Sequence, residues 1–216
     1  MRKLIIFDLD GTLIDSTEAW TKAFQKCFKR SGVKVSKKKL IDQFGKSDID
    51  IVKSLVKDVR KRKEILKYLY QIKESDELLK EFKLHKNTKK VLKKLKEKGY
   101  IVALATGNRK DFCSKVLRYF GLTDFFDIII TVDDVRKGKP DPEMLIKCLK
   151  QSKVNKEDAI FICDSLQDIL AGKKAGIKCC LVTWGALKGR CKLADAKLEK
   201  LSVKEIEKKI KRSSKS

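Results

Sequence analysis

Two carboxylates stand one residue apart in LIIFDLDGTLIDS, residues 4–16: an apolar run ends at Asp8, and Asp10 follows after Leu9. A second pair, Asp164 and Asp168, follows the apolar run AIFIC at 159–163. Close carboxylates raise one another's pKa, so a site that gathers all four needs a cancelling charge. A hard divalent cation supplies it, and Mg²⁺ is the usual choice where oxygen ligands meet a phosphate. Lys139 offers a further positive charge and Thr106 a hydroxyl. The backbone N–H groups that follow, through Gly107 and Asn108, open a helix, which is a cradle for anions. Cation, lysine and cradle together describe a site for a phosphoryl group, and a carboxylate beside the metal has the chemistry of a nucleophile that forms an acyl phosphate.

These residues are far apart in the chain, so the elements between them must bring them together. Five short apolar segments read as strands: KLIIFD (3–8), YIVALAT (100–106), FDIIITVD (126–133), AIFICD (159–164) and KCCLVTW (178–184). They are continuously apolar rather than alternating, as strands buried on both faces of a parallel sheet are. Helical patterns lie between the later ones. Residues 88–98 stop at Gly99, and 109–120 start after Asn108, an N-cap candidate with Asp111 three residues on, and stop at Gly121. Residues 143–151 follow Asp141-Pro142, and 166–175 stop at Gly176. The pattern predicts an α/β fold with a doubly wound parallel sheet. Between the first and second strands lie some 90 residues with helical periodicity and no strand-like run. That is too long for one crossover, so an α-helical domain inserted at 16–85 is expected, with 1–15 and 86–216 forming the core. It leaves the sheet at the C-terminal end of the first strand, where open α/β sheets bind ligands, and an insertion there is placed to act as a lid. Parallel strands put Asp8 and Asp10, Thr106 to Asn108, Lys139, and Asp164 with Asp168 at one edge of the sheet.

Composition narrows the partners. The chain has 216 residues, 42% hydrophobic and 38% charged, and no apolar run approaches the roughly 20 residues of a membrane helix. Arg2 and Lys3 before an apolar run faintly resemble a signal peptide, but Asp8 and Asp10 interrupt it too early. Seven cysteines, an odd number with no metal-ligand spacing, read as reduced thiols of a cytoplasmic protein. The net charge of +24 raises nucleic acid as a partner. The excess is nonetheless even: residues 16–85 carry 19 basic and 10 acidic residues, net +9, and the rest 34 and 19, net +15. Lysines number 44 and arginines 9, whereas phosphate forks and base readout favour Arg. A solvated lysine surface is therefore expected, with weak polyanion affinity through the terminal KKIKRSSKS as the lesser reading. Such a field draws in a small phosphorylated metabolite. The chain itself is expected to be a monomer or a homodimer.

The motifs DLDGT (8–12), ATGN (105–108), KGKPDP (137–142) and DSLQD (164–168) come in an order and at a spacing that resembles the haloacid dehalogenase superfamily of hydrolases, in its subgroup with a helical cap. LIDS after the first motif and VTWG at 182–185 are similar to phosphoglycolate phosphatases and their relatives. The resemblance implies a Rossmann-like core and a Mg²⁺-dependent phosphatase. Asp8 would be the nucleophile and a metal ligand. Asp10 would protonate the leaving group, then deprotonate the water that hydrolyses the phosphoaspartate, its backbone carbonyl touching the metal. Thr106 and Asn108 would hold phosphoryl oxygens, Lys139 would orient Asp8, and Asp164 would complete the metal site. Asp168 would orient that shell or hold metal through water. Gly45 and Lys46 fall where relatives carry a loop facing the site, and they are candidates for contact with substrate. Two departures are Cys163, where the family usually has Gly, and FKLHKNT (82–88), where relatives often have a Pro-rich stretch.

The other features have plainer readings. His85, the only histidine, has no partner at catalytic spacing and is expected at the hinge of the insertion. Trp20 and Phe24, four apart, read as a helix packing face rather than a substrate shelf. Two rival functions stay open. A sugar phosphomutase resembling β-phosphoglucomutase would use the same phosphoaspartate while excluding water, and a polyanion-binding protein would keep only a minor hydrolase site.

Overall fold

In the computed structural model, which describes residues 3–211, the chain enters through β1 (Leu4–Phe7), whose four residues are all buried. β2 (Ile14–Asp15) leads to five helices: α1 (Thr17–Arg30), α2 (Lys37–Ile41), α3 (Asp48–Leu55), α4 (Val59–Glu74) and α5 (Glu77–Lys80). β3 (Lys83–Leu84) then pairs antiparallel with β2, Ile14 opposite Leu84 and Asp15 opposite Lys83. Alternation follows: α6 (Thr88–Glu97), β4 (Ile101–Ala105), α7 (Lys110–Tyr119), β5 (Ile128–Ile130), α8 (Glu143–Ser152), β6 (Ala159–Cys163), α9 (Leu166–Ala175), β7 (Lys178–Val182), β8 (Ala196–Leu198) and α10 (Val203–Lys211).

Six strands form one sheet in the order β5-β4-β1-β6-β7-β8, every pairing parallel. The strand pleat sends alternate residues to opposite faces. Ile5 and Phe7 join the apolar cluster with Leu92, Val116 and Ile206, while Leu4 and Ile6 join the one with Met144, Leu145 and Ile169. Helices α6, α7 and α10 thus cover one face, and α8 and α9 the other. The first cluster continues without a break into α1 and α4 through Trp20, Phe24, Ile65 and Leu69. Trp20 meets Phe112 of α7 edge-on, ring centroids 5.4 Å apart, and lies 5.8 Å from Phe82. An aromatic seam therefore joins the helical segment to the sheet.

Two expectations change. Asn108 does not cap α7; the N-cap residue is Arg109, which makes no side-chain cap bond, and the Asn108 amide is used elsewhere. Strand β8 and helix α10 extend the fold beyond the fifth expected strand. Of the basic segment 208–216, the first residues belong to α10, which packs through Ile206 and Ile210, and 212–216 lie outside the described residues. His85 directly follows β3, its N–H donating to the Leu13 carbonyl (3.0 Å) and its ring 5.4 Å from that of Trp184.

Candidate active site

Strand β1 delivers Asp8 to the sheet edge, and the Asp8 N–H still bonds the Ile162 carbonyl of β6 (2.9 Å). The backbone beneath the carboxylate is therefore fixed by the ladder. Lys139 arrives from the loop after β5, in a segment with a cis Lys139–Pro140 peptide. Its ammonium is completely enclosed by three oxygen acceptors: Asp8 Oδ1 at 2.7 Å, Asp168 Oδ1 at 2.6 Å and the Ala105 carbonyl at 2.8 Å. Burial alone would lower the Lys139 pKa, but the Asp168 and Asp8 charges outweigh it and hold the group protonated. Asp8 Oδ2 has no protein partner among the described residues and faces the cavity.

Asp168 lies at the third position of α9, in a capping box. Its N–H donates to Ser165 Oγ (3.2 Å), and its Oδ2 accepts from the Ser165 hydroxyl and N–H. Its Oδ2 is thus held by Ser165, while its Oδ1 lies beside the Lys139 ammonium. Asp164, at the end of β6, accepts the Ala186 N–H at Oδ2 (2.7 Å). Gly11 turns with φ +74°, and a methyl there would fall 2.1 Å from Asp164 Oδ2. Only glycine leaves room for that carboxylate beside the turn.

Asp10 is held differently. Its Oδ1 accepts from Ser16 Oγ (2.6 Å) and Trp20 Nε1 (2.7 Å), and its Oδ2 from Asn108 Nδ2 (2.5 Å). Asn108 also reaches Thr106 Oγ1 through its N–H (3.2 Å), which binds the β4 turn to the same cluster. Ser16 and Trp20 were not expected here. Trp20 does pack as the helical spacing predicts, yet the same indole also reaches Asp10 and lines the cavity. No signal in the sequence separates the two uses, because the contact depends on how α1 docks over β1.

The space between these residues measures about 50 Å³. Its floor is Asp8, Asp10, Thr106, Gly107, Asn108 and Asp164, and its roof comes from Trp20, Gly45, Lys46 and Asp48. The roof is seated tightly: a methyl at Gly107 would meet the Lys46 carbonyl at 2.8 Å, and one at Gly45 would meet Ser165 Oγ at 2.2 Å. Gly45 and Lys46 therefore do face the site, though the Lys46 ammonium is turned to Gln43 Oε1 (2.8 Å). Of the site candidates singled out from the sequence, Asp8, Asp10, Gly45, Lys46, Thr106, Gly107, Asn108 and Asp164 line this cavity, Lys139 bonds Asp8, and Asp168 reaches the site through Lys139.

The donor set fits a divalent cation. Asp8, Asp164 and Asp168 are buried with carboxylate oxygens within 4.8 Å of one another, and among the described residues Lys139 is the one ammonium paired with them. Burial pushes Asp8 up to about 7 despite Lys139, and burial with the neighbouring Asp8 and Asp168 charges drives Asp164 far above the carboxylate range. Carboxylates so crowded stay ionised only with more positive charge nearby. Each of the three carboxylates has an oxygen placed to reach such a cation.

Comparison with known proteins bears on this arrangement. The family model described as haloacid dehalogenase-like hydrolase matches residues 5–182. The chain is 32% identical over 211 residues to the pyrophosphatase PpaX of Bacillus cereus, covering 92% of each protein. It is 31% identical over 194 residues to the pyrophosphatase PpaX of Halalkalibacterium halodurans, covering 86% of this chain and 85% of that one. Among solved structures, a predicted phosphoglycolate phosphatase from Haemophilus somnus superposes with a TM-score of 0.82 at 21% identity, covering 95% of this chain and 98% of that one, a likeness of fold.

Proposed function

The chain belongs to the haloacid dehalogenase-like hydrolase family, and from that premise we propose that it is a Mg²⁺-dependent phosphatase that acts on a small phosphorylated compound through a phosphoaspartate on Asp8. The observation that carries the reading is the asymmetry of Asp8. One oxygen is pinned by Lys139, the other faces the cavity, and a second carboxylate stands two residues on. Asp8 Oδ2 attacks phosphorus, the P–O bond to the leaving group breaks, and Asp10 in its protonated form gives its proton to the departing oxygen. Asp10, now a carboxylate, takes a proton from water. The resulting hydroxide attacks the phosphoaspartate, releasing phosphate and restoring both acids. Thr106, Asn108 and the N–H groups around Gly107 hold the phosphoryl oxygens, and Lys139 fixes the attacking carboxylate.

A cation held by Asp8, Asp164 and the Asp10 carbonyl would supply charge neutralisation for the phosphoryl group. Asp168 serves this centre by positioning Lys139. The helices α1–α5, residues 16–85 of the expected division, act as a cap whose Gly45-Lys46 loop closes on the cradle.

Pyrophosphate is the substrate that the names of the relatives support. The test is phosphate release from pyrophosphate, phosphoglycolate, hexose phosphates and an aryl phosphate with Mg²⁺. Pyrophosphate should turn over fastest, EDTA should stop the reaction reversibly, and Asp8→Asn should lower kcat by at least about 10³-fold. Substantial turnover by Asp8→Asn would sink the mechanism.

A further inference from the structure

A second concavity, about 680 Å³, lies between α3 and the loop 132–141. Its walls approach closely: a methyl on Gly138 would fall 3.8 Å from Asp50 Oδ2. Lys53 projects from α3, Arg136 and Lys137 from the loop, and Lys174 from α9. All four are exposed, and none forms an ion pair among the described residues. Two carboxylates also line the cleft and offset part of this charge, each held in place by a neutral donor. Asp50 accepts from the Ser47 hydroxyl (2.7 Å), and Asp141 accepts the Glu143 N–H (3.1 Å). Lys46 lines this cleft and the catalytic cavity alike. Most basic residues of the chain form no ion pair among the described residues, and what sets these four apart is that they line one concavity.

We propose that this cleft is an anion-binding site, separate from the catalytic cavity, for a compound carrying a chain of linked phosphates. Cations on opposing walls call for charge spread along the ligand, which one orthophosphate lacks. Lysine ammonium groups, compact point charges, suit phosphate oxygens presented in varied directions. The volume is that of a small-molecule site rather than a groove for a polymer. Because the walls come from α3 on one side and from the sheet's loops and α9 on the other, a bound chain bridges them and favours the closed arrangement.

Inorganic tripolyphosphate is the probe, with binding to the full chain measured by calorimetry in EDTA at about 0.15 M salt, where exposed charges are screened beyond about 8 Å. No turnover is involved, so the outcome is independent of the hydrolase reading. One site is expected, weakened about tenfold or more in Lys53→Glu with Lys174→Glu. It should be unchanged in Lys204→Glu with Lys208→Glu, which reverses as much charge on the exposed face of α10. A nucleoside triphosphate arm separates the sources. Equal affinity makes the phosphate chain the recognised part, and tighter binding adds the nucleoside to it. The proposal is overturned if tripolyphosphate does not bind at this salt, if the α10 variant loses as much affinity as the cleft variant, or if only the nucleoside compound binds.

Discussion

Asp10 gathers its three donors from three places in the chain: Ser16 where the helical segment begins, Trp20 one turn into α1, and Asn108 after β4. A carboxylate so anchored has one orientation, which a proton shuttle needs. Trp20→Phe keeps the ring and removes the N–H. A hydrogen bond to a charged group contributes about 1.5–3 kcal/mol, so kcat should fall roughly tenfold or more with KM little changed. Steady-state kinetics that show an unaltered kcat would mean the indole does not position Asp10. At this scale the sequence was informative wherever chemistry sits at a strand end. Asp8, Thr106, Asn108 and Asp164 each stand at or just beyond a buried apolar run, and Lys139 lies in a loop beyond another. Ser16 and Trp20 were illegible, because a serine after an acid and an aromatic at helical spacing have ordinary structural meanings.

The helices and strands that aim these residues were mostly readable from period alone. Continuous apolar runs such as AIFIC lie on β6, with neighbours on both sides, and the positions of Gly99, Gly121 and Gly176 mark where helices end. β8 was not readable, since it is three residues, AKL, with a lysine in the middle at the edge of the sheet. α10 was masked by its lysines, although Ile206 and Ile210, four apart, are what pack. The same dependence on neighbours governs Gly45. Its φ is +92° and a methyl would meet Ser165 Oγ, so Gly45→Ala should prevent the loop from seating over the cradle. KM should rise severalfold, while the melting temperature moves by about 2–4 °C for each kcal/mol of strain. An unchanged KM would show that the loop does not contact substrate.

Across the whole molecule, six of the seven cysteines are buried and Cys191 alone is partly accessible. Burial pushes the Cys27 thiol up to about 11 and those of Cys113, Cys148, Cys179 and Cys180 to about 12. Thiolate is the reactive form, so at pH 8 these groups are nearly inert. A colorimetric thiol reagent should count one fast thiol in the native protein and seven after denaturation; several fast thiols would mean that the core opens readily. The same scale shows what the β2–β3 ribbon implies for how such a chain changes over generations. The outgoing strand Ile14–Asp15 and the returning strand Lys83–Leu84 are hydrogen-bonded neighbours, so the segment between them leaves and returns at one place. A recombination event that replaced the intervening stretch would find its two ends already side by side and leave the parallel strands untouched. Ser16 and Trp20 set the limit on that freedom, because any replacement would have to bring its own donors for Asp10.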